Sequence, residues 1–426
     1  MSRATIALAG PRAGLAYGAL GLPLAFVALP LYVVLPNHYA TQFGVPLAAL
    51  GMLLLGARLL DALADPWIGR WADGWFGHST RRVMAAVTVS AVVAALGFHA
   101  LFFPRVEGTE ALLWWCGTGL AVTYLAYSVL SVVHQAWGAR LGGDAAQRAR
   151  VVAWREGLAL VGVLAASALP SLAGLDVTSA VFALALAAGV WALRGSPRAE
   201  PAPGATAGGP PVPLALPWTS PPFRRLLAIF LVNGVASAIP ATLVLFFIRD
   251  RLQLPAFEAG FLLAYFAAAA LSMPLWVRAV PRFGLARLWL GGMLLAVAAF
   301  VWAAGLGAGD AWGFAAVCVA SGLALGADLA IPGALLAGAI RRAGHDGRAE
   351  GAYFGWWNFA TKLNLALAAG LSLPLLAAFG YAPGSRDAAA LEALTQAYCL
   401  LPCALKLTAA TLLATLWMRS PQGETA

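Results

Sequence analysis

Charged residues are scarce in this sequence. Only 11% of the 426 residues are Asp, Glu, Lys or Arg, and lysine occurs just twice. Because a soluble domain carries about 25% charged residues, the composition excludes a soluble globular protein. The alternating segments of about ten residues that are typical of membrane β-barrels are absent as well. What is left is an all-α membrane protein, whose helices satisfy their own backbone hydrogen bonds.

Cysteine and histidine are also scarce, with four and five residues respectively. Cys399 and Cys403 lie one helical turn apart, but no histidine or further cysteine accompanies them, which favours packing over metal binding. The histidines are scattered along the chain, away from any cysteine or carboxylate cluster. A polytopic membrane enzyme, such as an acyl or glycosyl transferase, is therefore only a distant alternative. We expect no cofactor and no metal site.

Hydrophobic residues, in contrast, make up 61% of the chain. A helix needs about 20 apolar residues to cross a bilayer. Twelve runs meet that need, and they predict spans one to twelve at 13–36, 45–70, 83–103, 111–139, 152–174, 177–194, 224–248, 256–279, 286–307, 311–340, 351–380 and 394–418. A full-length span follows the first 14 residues, so we expect no cleaved signal peptide.

The segment 195–222 contains nine prolines in 28 residues and is predicted to be non-helical. It divides the chain into two predicted six-helix bundles, 1–194 and 223–426, joined by a cytoplasmic Pro/Gly-rich linker. The halves resemble each other: "DPWIGRWADGWFG" after span two is similar to "MPLWVRAVPRFG" after span eight, and "RARVVAWREG" to "GRAEGAYFGWW". Parallel six-span repeats are typical of transporters that bind substrate between their halves.

The net charge of +9 reflects topology rather than nucleic-acid binding. Most lysines and arginines fall at the termini or in the even-numbered connections. Under the positive-inside rule, this distribution places both termini in the cytoplasm of a multi-pass bacterial inner membrane protein. The expected partners are the lipid bilayer and a small-molecule substrate, and the expected state is a monomer.

Asp61 and Asp65 lie four residues apart in span two, so their side chains share one helix face. Arg58 is close to the same face. Two neighbouring carboxylates do not both ionise comfortably without a cation between them, which is the requirement of a Na⁺ site or of a carboxyl that holds a proton. The alternative for Asp65 is that it satisfies a helix end before Pro66.

Two lysines and one acid lie in later spans. Lys362 is far from either end of span eleven, so its charge demands a partner, and an aspartate of span two is the natural one. Asp328, beside Pro332 in span ten, lines the substrate cavity or packs between helices. Lys406 has no acid in its own span, which favours a structural or interfacial role.

Uncharged polar residues within the spans, Ser131 of span four among them, are weaker candidates for the cavity. Asn233, Asn358 and Asn364 either face substrate or connect helices by hydrogen bonds. His134 in span four either titrates near neutral pH or packs as a hydrogen-bonded residue.

The segment "GRWADGWFGHSTRR" joins spans two and three. It contains Gly69, Asp73, Arg81 and Arg82. An acid at a helix end beside basic residues can hold one half of a carrier against the other, so we predict that this segment is a gate and not a binding site.

With these residues, the sequence resembles the glycoside–pentoside–hexuronide:cation symporter family, of the melibiose-carrier type, within the major facilitator superfamily. The most specific match is "ARLLDALADPWIGRWAD", and "RARVVAWRE" and "EGAYFGWWNFATKLNLALAAG" match further segments. The resemblance implies the major facilitator fold, a cation site at Asp61 and Asp65, a span-eleven lysine at Lys362, and the superfamily's gating motif in a divergent form.

The sequence departs from that family at two positions. The third carboxylate of melibiose-type carriers is replaced by Ser131, and their sugar-binding acid in span one is absent where this chain has Pro23. The first departure weakens the case for Na⁺ coupling and favours H⁺, since Na⁺ prefers several oxygen ligands. The second departure weakens the case for a galactoside substrate.

The function predicted from the sequence is cation-coupled symport, with H⁺ or Na⁺, of a small sugar- or glycoside-like solute by alternating access. A carrier of lysophospholipids or other amphiphiles with the same fold is the alternative. A receptor or scaffold that does not transport is a further one, and Asp61, Asp65 and Lys362 argue against it.

Overall fold

The structure is a computed structural model that describes residues 10–198 and 212–419. Within these ranges the regular structure is entirely helical. The long helical segments are α1 Pro11–Phe43, α2 Leu47–His78, α3 Thr80–Phe102, α4 Thr109–Arg140, α5 Ala145–Arg194, α6 Pro221–Arg251, α7 Pro255–Phe283, α8 Leu285–Ala304, α9 Ala311–Arg342, α10 Glu350–Ala378 and α11 Ala388–Met418.

Of these segments in the described part of the chain, ten are long and apolar enough to cross a membrane. α5 is 50 residues long and contains both span five and span six, because Gly174 breaks it with φ 81° and ψ 172°. The remaining segment, α2, is long enough but carries several charged residues, and it coincides with span two. The predicted all-α membrane fold is confirmed.

The structure differs from the sequence-based expectation around span two. α2 passes through Pro66 and does not end at residue 70 but continues to His78, and Ser79 alone separates it from α3. The predicted connection is therefore mostly helix, and Asp65 does not satisfy a helix end. Within the predicted linker, Leu216–Thr219 forms one helical turn, since proline is tolerated in a first turn. Residues 199–211 lie outside the described residues.

The chain divides into two compact units. The first comprises Met1–Pro217 and Ile340–Phe359, and the second comprises Trp218–Ala339 and Ala360–Ala426. The two units pack by the same scheme. In the first, α4 packs on α2 and α3; in the second, α9 packs on α7 and α8. Likewise α1 packs on α5, and α6 packs on α11.

Glycines allow the closest of these contacts. A Cβ at Gly18 or Gly21 would collide with the backbone of α5, and a Cβ at Gly322 or Gly326 with α7. Small residues at such positions let membrane helices approach closely, where dispersion and hydrogen bonding replace the hydrophobic effect. This tight packing fixes the facing positions of the polar side chains described below.

Candidate functional site

α2 has one buried face and one exposed face. Ala57, Asp61, Asp65, Ile68 and Ala72 recur at helical spacing and are all buried. The opposite face exposes large apolar side chains of the kind that contact lipid, among them Leu59, Leu63, Trp67 and Trp71. Both acids are therefore buried, on the single face that the spacing predicts.

Asp61 accepts a hydrogen bond from the Ser128 hydroxyl of α4 at 2.6 Å. Ser128 and Asp65 are both fully buried. Tyr127, beside Ser128 on α4, is close enough to interact electrostatically with both acids. The guanidinium of Arg58 lies 3.2 Å from the ring centroid of Tyr32. Two carboxylates and a hydroxyl thus occupy one buried region of the first unit.

Lys362 lies near the middle of α10 and belongs to the second unit, where it is half-buried. Its predicted pairing with an acid of span two stays a prediction.

The cavity candidates fall into separate groups. In the first unit, Gln135 donates to the Asn358 side-chain oxygen at 2.8 Å and to Ser131 at 3.0 Å. His134 is fully buried, where its Nε2 lies 2.8 Å from the Tyr17 carbonyl oxygen and its ring packs against the Tyr17 ring. This environment favours a packing role for His134.

In the second unit, Asn233 and Asp328 share a network with Lys406. The Lys406 ammonium donates to Asp328 at 2.6 Å, to Asn233 at 2.9 Å and to Ser237 at 3.0 Å. Trp289 and Asn233 donate to the other Asp328 oxygen at 2.8 and 3.1 Å. Lys406 is buried rather than interfacial, and its acid comes from a different helix. Asn364 is buried as well, and it packs directly against Gly234.

The predicted gate contains a buried ionic cluster. Asp73 accepts hydrogen bonds from the backbone amides of Gly351 and Ala352 at 2.7 and 2.8 Å, at the start of α10. Arg140 of α4 contacts Asp73 at 2.8 Å and Glu350 at 3.0 Å. We call Asp73, Arg140 and Glu350 the Asp73 cluster. Both carboxylates contact the Arg140 guanidinium, and Asp73 also accepts from the amides at the N-terminus of α10. Both kinds of neighbour favour the charged form of a carboxylate.

Gly69 of the predicted gate allows close helix packing because it has no side chain. The backbones of Gly69 and Gly351 touch, so that a Cβ on either would collide with the other helix, and Gly355 packs on the Asp65 carbonyl in the same way. Arg81 and Arg82, also predicted for the gate, have exposed side chains, and the base that pairs with Asp73 is Arg140.

Sequence reasoning missed three residues of these groups, Ser128, Arg140 and Glu350, and it did not predict that Lys406 pairs with Asp328. A signal for Lys406 was available, since Asp328 is a lone acid in span ten and a buried lone acid needs a base. Arg155, in the matched "RARVVAWRE" motif, is a further polar group of the first unit and donates to Glu156 at 2.6 Å.

The fold and these buried ionisable groups define a transporter of the major facilitator type rather than an enzyme. The family model described as "MFS/sugar transport protein" matches residues 13–418, and the chain belongs to that family. This match confirms the resemblance seen in the sequence. Proteins of this superfamily bind small-molecule substrates within the membrane, and the present chain is a multi-pass membrane protein.

Two relatives from Escherichia coli (strain K12) match short stretches of the chain. Inner membrane symporter YicJ is 28% identical over 131 residues, which cover 29% of this chain and 27% of that protein. YagG, a candidate glycoside/cation symporter, is 27% identical over 154 residues, which cover 35% of this chain and 33% of that protein. The matches thus span a third or less of either relative.

A crystal structure of a bacterial homologue of the iron transporter ferroportin, in an outward-facing state, shares the fold. Its TM-score is 0.69 over 95% of this chain and 98% of that chain, at 15% sequence identity. At this identity the similarity concerns the fold alone.

Proposed function

We propose that this protein is a cation-coupled symporter of a small polar solute, sugar- or glycoside-like, in the inner membrane. The observation that carries the proposal is the buried contact of Asp61 with Ser128, with Asp65 one turn further on the same face of α2. Carboxylate and hydroxyl oxygens are ligands for a hard cation, and a buried carboxyl pair can equally hold a proton. The family's description and the relatives' names support symport of a sugar.

The proposed transport cycle uses the two halves of the chain, 1–194 and 223–426, joined by the cytoplasmic linker 195–222. The cation binds at Asp61 and Asp65, and Lys362 exchanges with it as a partner for these acids. Alternating access then moves the halves around that site. Both chain termini lie in the cytoplasm, and the functional unit is a monomer.

The Asp73 cluster is proposed as the gate of this cycle. It holds the start of α10, which continues along the chain into the second unit. Breaking the Asp73 and Glu350 contacts of Arg140 would release that segment. A gate must be bistable, and a cluster of three charges with strong but replaceable contacts satisfies this requirement.

The test is thermal unfolding of the detergent-purified protein with a panel of glycosides, organic acids and lysophospholipids, with and without Na⁺. A ligand at about a hundred times its dissociation constant adds about 2.7 kcal/mol, which is easily visible. We expect a stabilising glycoside whose effect grows with Na⁺ or with protons. Stabilisation by lysophospholipids alone, indifferent to cations, would replace the proposal with an amphiphile carrier.

Transport completes the test once a ligand is found. In proteoliposomes, uptake of that ligand should follow an imposed Na⁺ or pH gradient. Asp61→Asn should abolish gradient-driven accumulation, and full coupled uptake by this variant would contradict the proposed cation site.

A further inference from the structure

A groove lies between α2 and α4 of the first unit, near the N-terminus of α4. Leu53 of α2 lines it, and so do Glu110, Trp114, Gly117 and Thr118 of α4. Its volume is about 510 Å³, within the range of roughly 300–1,000 Å³ that is usual for small-molecule sites. The connection before α4 is one of the odd-numbered ones, which the positive-inside rule predicts to lie outside the cytoplasm.

The groove is on the same face of α4 as Ser128, the residue that contacts Asp61. α4 is one continuous helix over Thr109–Arg140, and Glu110 precedes Ser128 by roughly five turns of about 3.6 residues each. The two side chains therefore project in the same direction. At Ser128 this face is closed by the contact with Asp61 at 2.6 Å, whereas at Glu110 it borders the groove. The groove thus leads from the outer end of α4 toward the proposed cation site.

The side chains in the groove combine an aromatic ring with hydrogen-bond acceptors. Glu110, Trp114 and Thr118 follow one another at intervals of four residues, so they lie along one side of the helix. Trp114 is 70% exposed, and an indole ring packs well against the C–H face of a sugar ring. The Thr118 hydroxyl donates to the Trp114 carbonyl at 2.7 Å, which leaves its oxygen as an acceptor beside the Glu110 carboxylate. These groups suit a ligand that has an apolar ring face and hydroxyl donors.

The charge of the groove narrows the class of ligand further. Among the described residues that line the groove, none is basic, and Glu110 is acidic. A carboxylate repels an anionic ligand, and a low-dielectric surrounding strengthens this repulsion. The groove therefore suits a neutral polyhydroxylated ring better than one that carries a carboxylate.

We propose that this groove is an entry site for the solute on the extracytoplasmic side and that it selects neutral glycosides over uronides. The proposal rests on the proposed symport of a sugar-like solute. Glu110 and Thr118 accept hydrogen bonds from the hydroxyl groups of the sugar, and Trp114 packs against its ring. From there the solute moves along the Ser128 face of α4 toward the site of cation coupling.

The experiment introduces a reactive cysteine into the groove. All four native cysteines are buried, so a thiol reagent reacts mainly with the residue introduced by Thr118→Cys. The full-length protein is placed in phosphatidylcholine nanodiscs and treated with a charged maleimide that does not enter the bilayer. Ala111→Cys is the matched control, because Ala111 is exposed at the same end of α4 but does not line the groove.

We expect both variants to react with the maleimide. The probes are the nitrophenyl glucoside, galactoside and xyloside, with the nitrophenyl glucuronide as the anionic comparison. At about four times its dissociation constant, a glycoside should slow the labelling of Thr118→Cys about fivefold, because only about a fifth of the sites are then free. It should leave Ala111→Cys unaffected, and the glucuronide should protect neither variant.

Two further substitutions in the Thr118→Cys background test the assigned contacts. Trp114→Ala should remove the protection by the glycoside, whereas Trp114→Phe keeps an aromatic ring and should retain most of it. Glu110→Gln removes the negative charge, so the glucuronide should then protect as the glucoside does. A glucuronide that remains excluded after Glu110→Gln would show that Glu110 does not select the ligand.

Two results would overturn the proposal. One is a Thr118→Cys variant that does not react, which would show that the groove faces lipid. The other is a glycoside that stabilises the wild type against thermal unfolding but does not slow labelling of Thr118→Cys. In that case the entry site is wrong while the symport stands. If no glycoside stabilises the wild type, the proposed function fails and the entry site with it.

The cation site is separated from this proposal by one more variant. Asp61→Asn in the Thr118→Cys background should keep the protection by the glycoside, because the groove lies several turns away from Ser128 and Asp61. Protection that disappears with Asp61→Asn would place the bound glycoside at the cation site and not in the groove.

Discussion

The two units place different side chains in contact with a buried aspartate. In the second unit, Asp328 faces an ammonium of the same unit, and Lys406 directs three donors at oxygens on two helices. In the first unit, Asp61 faces a serine hydroxyl. The basic residue nearest to it in sequence, Arg58, lies over the ring of Tyr32.

This difference suggests separate roles for Asp61 and Asp328. The Asp328–Lys406 pair contains its own cation, so it has the chemistry of a cation site that is permanently filled. In the proposed symport, the oxygens of Asp61, Asp65 and Ser128 are ligands of a cation that binds and dissociates. An exchangeable cation is what coupling requires, whereas a closed pair keeps each buried charge beside its counter-ion.

The largest expected effect concerns the closed pair. Lys406→Met leaves Asp328 without its cation in a buried site, which should lower the free energy of unfolding by about 3–5 kcal/mol. Thermal and denaturant unfolding in detergent measure the loss. The double variant Asp328→Asn with Lys406→Met removes both charges and should recover most of it. A double variant as unstable as Lys406→Met alone would show that the network depends on more than charge pairing.

The sequence predicted the helices better than their mutual contacts. The apolar runs located span five and span six on either side of the break at Gly174. The four-residue spacing placed Asp61 and Asp65 on one face, because that relation lies within a single helix. The sequence did not predict the continuation of α2 from residue 70 to His78, because Arg70 and Asp73 end the apolar run that marks the span.

Contacts between helices depend on register, which no local pattern specifies. Ser128 and Ser131 are three residues apart on α4, close to the same face and separated by roughly 4.5 Å along the axis. The resemblance singled out Ser131, but packing brings Ser128 to Asp61 and Ser131 to Gln135. Asp328 and Lys406 are distant in sequence, so their contact depends on which helices are neighbours.

Na⁺ should stabilise the protein through the first unit and not through the second. If the first unit holds the exchangeable site, Na⁺ at about a hundred times its dissociation constant should stabilise the wild type by about 2.7 kcal/mol. Asp61→Asn should lose this stabilisation. The double variant Asp328→Asn with Lys406→Met should keep it. The measurement is the unfolding midpoint in NaCl against choline chloride at equal ionic strength.

The converse pattern would reverse the assignment. A Na⁺ response that survives Asp61→Asn and disappears with the second-unit double variant would move the exchangeable site to Asp328. If Na⁺ has no effect on the wild type, the same three proteins are compared across pH, where a proton-coupled site at Asp61 should give a pH dependence that Asp61→Asn removes.

The smallest expected effect distinguishes the two serines of α4. Ser128→Ala removes the hydroxyl that Asp61 contacts at 2.6 Å, and we expect roughly tenfold weaker cation binding, since hydrogen bonds to charged groups contribute about 1.5–3 kcal/mol. Ser131→Ala is the matched control, because Ser131 contacts Gln135 and Asn358 and should leave cation affinity unchanged. Cation titrations of the unfolding midpoint give both affinities. Ser128→Thr keeps a hydroxyl and should retain most of the wild-type affinity. An affinity that falls with Ser131→Ala and not with Ser128→Ala would place the third oxygen where the family resemblance puts it, one turn further along α4.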